Sequence, residues 1–300
     1  MPGLTGAERG FLLLTSCLGD PDRKPLTVAQ FRELIHRSQT INFEERSRDL
    51  VISDFVAAGY SRGAAGHMVL LLEDELLLEE YLRKAQRQGC IPITRASASY
   101  PLILRKRLGT DAPGVLWARG DCSLLESPGI SLVGSRDLQE RNRVFAREVG
   151  IQAAVHGLTL ISGNARGADQ TAQNACLSAG GKIISIVADS LLQHTPKSGV
   201  LYLSEGGFDE GFSAQRALSR NRCIHAMGRI VFVAQASLEK GGTWDGTVKN
   251  LRCGWSSVAC FRDGSEAVRQ LEQMGAFCIG TEDLQDLSIL ASPQQTFFDR

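Results

Sequence analysis

From Gly129 onward, short apolar runs alternate with longer stretches of mixed character. The runs are ISLV, LTLI, KIISIV, VLYL, RIVFV, SSVACF and FCI. They are short, rich in Ile, Val and Leu, and show little polar alternation, which marks strands buried on both faces. Helices are expected between them, at about 138–156, 169–179, 213–227 and 265–274. The last carries Ala267, Val268, Leu271 and Met274 at helical spacing. Buried strands separated by helices define an α/β fold with a doubly wound, mostly parallel sheet.

Upstream the pattern is helical. TVAQF starts a helix with Thr27 as N-cap and Gln30 three residues on, a capping box. Phe31, Leu34 and Ile35 then share one face. A second helix is expected over Phe43 to Ala58, and a third from about Glu73 to Gln88, stopped by Gly89. The connector CIPITRASASYPLILRKRLGTDAPGVLWARGD holds Pro92, Pro101 and Pro113, which forbid a long helix, and VLWARG reads as a short strand. The expected division is a helical N-terminal domain at 1–92, the α/β domain at 93–285 and a flexible tail at 286–300.

Composition adds little to this picture. The 300 residues are 43% hydrophobic and 22% charged, with 33 basic and 33 acidic side chains, so the formal net charge is zero. A polyanion site must therefore come from local clustering. No apolar run approaches the roughly 18 residues of a membrane span. MPGLTGAERGFLLLTSCLGD lacks the features of a secretory leader, so a cytoplasmic location is expected. The eight cysteines are scattered without a CxxC, which points to reduced thiols; no metal site is expected.

In an open parallel sheet, ligands bind beyond the carboxyl ends of the strands. After ISLV come Gly134, Ser135 and Arg136. After LTLI come Ser162, Gly163, Asn164, Ala165, Arg166 and Gly167. After VLYL come Ser204 and Glu205, and after VFVAQAS come Lys240, Gly241, Gly242 and Thr243. Small residues let a ligand approach the backbone, and helix N-termini suit phosphate. Arg136 and Arg166 add bidentate donors. Asp169 would repel phosphate and is expected to act as a cap or an arginine partner. GSRDLQ lacks the GxGxxG fingerprint, which argues against a nicotinamide cofactor; no cofactor is expected.

A second cluster, QRALSRNRCIHAMGRIVFV, places Arg216, Arg220, Arg222 and Arg229 on or near one helix, beside Asn221. It suits a phosphate backbone, or a solvated helix face paired with acids. Arg141, Arg143 and Arg147 add a further local excess of positive charge. The histidines form no Ser/His/Asp arrangement, and no paired-carboxylate signature appears, so no catalytic residue is assigned.

VGSR, LTLISGNARGADQTAQNACL, GGKIISIVADSL, LSEGG and RALSRNRCIHAMGRIVFVAQAS, in this order, resemble the DNA-processing protein A (DprA/Smf) family. YPLIL and VLWARGD match its upstream segments, so the likeness runs from about Tyr100 to Cys278. The resemblance implies an extended Rossmann-like domain that binds and protects single-stranded DNA and helps load a RecA-type recombinase in DNA uptake and recombination, often as a homodimer. It assigns DNA contacts to Arg136 and the SGNARG loop, with Lys182, Arg220 and Arg222 lining or supporting the same pocket. Phe208, Phe212 and Trp244 are stacking candidates or core residues. Asn164, Ala168 and Gln173 depart from the family pattern, as do TPKSG and KGGTWDGT, and the family's C-terminal winged-helix-like segment is not found. QQTFFD loosely resembles a peptide that docks on sliding clamps, against the alternative of a plain tail.

A different class competes. Related folds bind free nucleotides, and phosphoribohydrolases of that kind resemble PGGxGTxxE. KGGTWDGTVKN keeps the glycines but lacks the proline and the glutamate. Glu205 could substitute only by facing a ribose. A nucleotide sensor or hydrolase is therefore the alternative to a DNA-binding module.

Overall fold

The structure, a computed structural model, describes residues 3–38 and 50–287. Nine strands form one sheet in the order β1-β2-β6-β5-β4-β3-β7-β8-β9. These are β1 (Ile91–Thr94), β2 (Val115–Gly120), β3 (Gly129–Val133), β4 (Thr159–Ser162), β5 (Lys182–Val187), β6 (Val200–Glu205), β7 (Ile230–Val233), β8 (Ser257–Phe261) and β9 (Phe277–Ile279). All neighbours from β6 to β9 run parallel, while β1 and β2 are joined antiparallel at one edge. The doubly wound expectation holds.

The connector is more ordered than its prolines suggest. Pro92 lies on β1, the edge strand, where a missing N–H is tolerated. Pro101 is the N-cap of α6 (Leu102–Leu108), a helix too short for prolines to exclude. Neither element is legible from the breaker residues alone.

Helices cover both faces. The core of one face joins α1 (Gly6–Thr15), α5 (Glu75–Arg87), α7 (Glu140–Val155) and α8 (Ala168–Ser178) to the sheet through Leu13, Tyr81, Phe145 and Ala172. The other face carries α6, α9 (Ala214–Met227), α10 (Gly241–Cys253) and α11 (Glu266–Gln273), through Leu104, Ile224, Val248 and Leu271. A third cluster holds α1 to α2 (Val28–Ser38), α3 (Ile52–Ala57) and α4 (Arg62–Glu73) around Phe31, Phe55 and Met68.

Two of the N-terminal helices pack directly on the sheet. α1 and α5 share the core of the sheet. Tyr81 meets Trp117 edge-on at 5.2 Å and donates from its hydroxyl to Asp209 at 2.7 Å. The capping box at Thr27 and Gln30 is formed as expected. Only the last part of the helix expected over 43–58 falls among the described residues, as α3. The expected third helix is α5, with α4 as a separate helix before it. The tail, including QQTFFD, lies outside the described residues.

Gln173 has a structural reason for its place. It lies on α8 and donates to Ser162 Oγ at 2.6 Å and Ser185 Oγ at 3.1 Å, two hydroxyls opposite each other on β4 and β5. An apolar residue there would leave both buried hydroxyls without that donor.

After β6 the chain crosses back through α9 to place β7 against β3. This reversal is the topological switch point, and the crevice beyond it is where such sheets bind ligands.

His225, fully buried on α9, faces Asn250 of α10 at 3.3 Å through Nδ1, and its Nε2 has no partner among the described residues. Burial pulls its pKa down to about 3. The unfolded chain binds this proton near the ordinary value of 6.5, the folded chain only near 3. The contribution of His225 to stability is therefore complete above about pH 6.5 and is lost as pH falls toward 3, by at most about 1.4 kcal/mol per unit. Urea unfolding of the native chain and of His225→Gln across this window should show a shallower pH slope in the variant; equal slopes would refute the assignment.

Candidate nucleic-acid interface

The carboxyl ends of β3, β4 and β7 converge through small residues. A Cβ on Gly134 would stand 2.5 Å from the Cβ of Ala168 and 3.2 Å from that of Ala234, so only glycine lets the three segments meet. Ala168 N–H donates to Ser135 O, and Ser135 N–H to Gln235 O. Gln235 fixes the third side: its Oε1 accepts from Gln139 N–H and its Nε2 donates to Asp137 O. Gly167 is the N-cap of α8 at φ +90.

Two adjoining cavities open over this junction. The larger, about 490 Å³, is lined by Gly134, Ser135, Arg136, Asn221, Gly241, Gly242 and Thr243, among others. The smaller, about 220 Å³, is lined by Gly163, Asn164, Arg166 and Asp189. Arg136, Ala165, Phe212 and Arg220 border both, so the two form one groove across the switch point.

Two helices start here without a side-chain cap, although in α8 the N–H groups of Ala168, Gln170 and Thr171 already meet the carbonyls of Ser135, Ala165 and Gly167. Gly167 and Lys240, the N-caps of α8 and α10, supply no side-chain cap. α5 and α7 likewise lack a side-chain cap, whereas α1, α4, α9 and α11 are capped by serine or threonine. Uncapped first-turn N–H groups and the helix dipole favour an anion.

Arg220 forms the floor. Only 7% exposed, it donates from Nη1 to Ile186 O at 2.8 Å, and its Nε has no partner among the described residues. A Cβ on Gly163 would lie 1.4 Å from Nη1, so that glycine makes room for the guanidinium. Burial pulls Arg220 below the usual arginine range, while Asp169, Asp189 and Glu205 oppose the shift. Asp169 accepts from the N–H groups of Gly163 and Ala165 at 3.1 and 3.2 Å, so it ties down the loop before α8 rather than capping the helix as expected. Burial pushes its carboxyl up, and Arg220 with the two N–H donors holds it down.

The charges nearer solvent are less committed. Arg136 is exposed and makes no ion pair among the described residues. Arg166 pairs with Asp137 at 2.9 Å, with both side chains largely in water, a contact worth little. Asn164 adopts φ +58, a left-handed conformation that asparagine tolerates, and its Nδ2 lies 3.5 Å from His194 Nδ1. His194 Nε2 in turn lies 2.9 Å from Asp189. Phe212, 59% exposed, stands at the mouth of both cavities.

Several expected site residues lie elsewhere. Lys182 opens β5 and so sits at the amino ends of the strands, away from the groove. Ser162 is buried and held by Gln173. Ser204 is buried, donating to Gly207 O and accepting from Arg216. Glu205 pairs with Arg222 at 2.8 Å and accepts from Cys223 Sγ–H at 3.0 Å. Arg222 also donates to Asp111 O and Ser219 O, and Arg216 to several carbonyls, so neither is free for phosphate. Arg229 follows α9 at the amino end of β7. Phe208 and Trp244 are buried core residues. The sequence reading missed Asp189, Gln235 and the central place of Arg220. Asp189 could have been found by reading the residue after KIISIVA as the other strand ends were read.

Residues 92–253 match the family model described as DNA recombination-mediator protein A. The chain belongs to this family. Its match to the DNA processing protein DprA of Streptococcus pneumoniae is 33% identical over 141 residues, 44% of this chain and 50% of that protein. Its match to Protein Smf of Escherichia coli is 30% identical over 143 residues, 44% of this chain and 38% of that one. The chain thus spans half or less of the length of these curated relatives. In fold it is similar to the crystal structure of DNA processing protein A from S. pneumoniae, with TM-score 0.73 and 23% identity over 95% of this chain and 98% of that one. It is also similar to DNA processing protein A from Helicobacter pylori, a structure described for its single-stranded DNA binding mode, with TM-score 0.55 and 19% identity over 67% of this chain and 96% of that one. The matched span contains the whole groove of this family member, and no described helix is long and apolar enough to cross a membrane.

Gly163→Ala should drive the Arg220 guanidinium off Ile186 O and cost about 1–3 kcal/mol in chemical denaturation. Unchanged stability would show that Arg220 is not pinned by this approach.

Proposed function

We propose that this protein binds single-stranded DNA through backbone phosphates in the groove at the switch point, without chemical turnover. The observation that carries the reading is the exposed Arg136, with no ion pair among the described residues, over the buried Arg220, flanked by two helix N-termini without a side-chain cap. Phosphate supplies the negative charge and the acceptors that this arrangement lacks. Phe212 at the rim offers a face on which a base stacks. Base-edge contacts are few in such a groove, so sequence preference is weak.

Family membership supports extending this to recombination mediation, in which a RecA-type recombinase takes over the bound strand, with a homodimer as the working form and the cytoplasm as its place. The nucleotide-hydrolase alternative loses its carboxylate, because Glu205 is engaged by Arg222 and Cys223 and does not line the groove. The remaining acids beside it, Asp169 and Asp189, are bonded to backbone N–H groups and to His194.

Labelled oligo-dT titrated at two salt concentrations tests the reading. Binding should weaken steeply with salt. Arg136→Ala should lose roughly tenfold or more in affinity and flatten the salt dependence. Phe212→Ala should cost about 1–3 kcal/mol. A native chain that ignores the oligonucleotide but is thermally stabilised by AMP would overturn the proposal in favour of a nucleotide sensor.

A further inference from the structure

Outside the groove, the α7–α8 pair carries an arginine row that no part of the site uses. On α7, Arg143, Arg147 and Gly150 follow at spacings of four and three, so they share one side of the helix. That side is fixed by Gly150, where a Cβ would stand 2.2 Å from Ala172 O of α8. Arg143 and Arg147 therefore lie along the α8 side of α7, toward its N-terminus. Both helices follow neighbouring parallel strands, so their N-termini lie at the same sheet edge. The row thus leads from the β4–α8 loop, which carries Arg166, outward from the groove.

The acids near it are Glu140 and Glu148 on α7 and Asp137 beside Arg166, while α8 adds no exposed acid. The exposed residues of α8 are Gln170, Asn174 and Ser178, all neutral hydrogen-bonding groups, and its acid Asp169 is buried. Arg147 is exposed and has no ion pair among the described residues. Arg143 meets Glu140 only at 3.4 Å, with both side chains substantially in water. Such an exposed pair yields readily to a phosphate. Arg143 and Arg147 stand one turn apart, about 6 Å along the axis.

We propose that the seam between α7 and α8 is a second contact track for a single-stranded polynucleotide, which leaves the groove past Arg166 and runs over Arg143 and Arg147. This rests on the groove reading above. It makes affinity depend on strand length: a short strand fills the groove alone, and a longer one also occupies the track.

The test compares the intact chain with Arg143→Ala/Arg147→Ala and Arg143→Lys/Arg147→Lys, using labelled oligo-dT of about 5 and about 20 nucleotides. Thermal unfolding of each variant controls for folding. The alanine pair should bind the short strand as the native chain does and the long strand roughly tenfold more weakly, with a salt slope lower by about 1.4 for two lost contacts. The lysine pair should recover most of the long-strand affinity. An alanine pair that binds both lengths as the native chain does, or loses both equally, overturns the track but leaves the groove. A native chain that binds neither length overturns the groove reading and the track with it.

Discussion

A buried arginine under a loop of backbone N–H groups is the constraint around which this protein is arranged. Removing a guanidinium from water is costly unless its donors and charge are matched. Arg220 is matched in part: Ile186 O takes one N–H, Asp169 lies near enough to oppose the effect of burial, and Nε has no partner among the described residues. Asp169 in turn ties down the loop through Gly163 and Ala165. The absence of a side chain at Gly163 lets loop and guanidinium approach each other. Position of the loop and floor of the groove thus follow from one local arrangement.

The sheet explains why this arrangement sits where it does. The crossover from β6 to β7 opens a crevice beside β3, and α9 brings Arg220 beneath it. Both faces of the sheet are covered, so the strand ends are rigid. The proposed polyanion site is compatible with a neutral chain because several acids near it are engaged internally, by backbone N–H groups, His194, Arg222 and Tyr81. The field over the groove is set by which charges remain unpaired rather than by their total.

The parallel sheet was legible because fully buried strands write continuous apolar runs, and the groove because small residues recur at their carboxyl ends. What failed was arginine by arginine. Arg216, Arg220 and Arg222 are equivalent in sequence, but rotation turns Arg222 away to Glu205, while Arg216 and Arg220 share a face and differ by one turn, which leaves Arg216 at carbonyls and Arg220 under the groove. Lys182 entered through the family resemblance, although the run KIISIV already puts it at the amino end of its strand, away from the groove. The role of Gln173 was hidden for a related reason: its partners, Ser162 and Ser185, become neighbours only through strand pairing.

The side-chain Nε–H resonance of Arg220 tests the central claim most directly. Followed by nitrogen-15 NMR during titration with oligo-dT, it should shift in step with binding, as phosphate charge arrives above the guanidinium. An Arg220 resonance that stays unmoved while the oligonucleotide binds would contradict the account, because the strand would then occupy another surface.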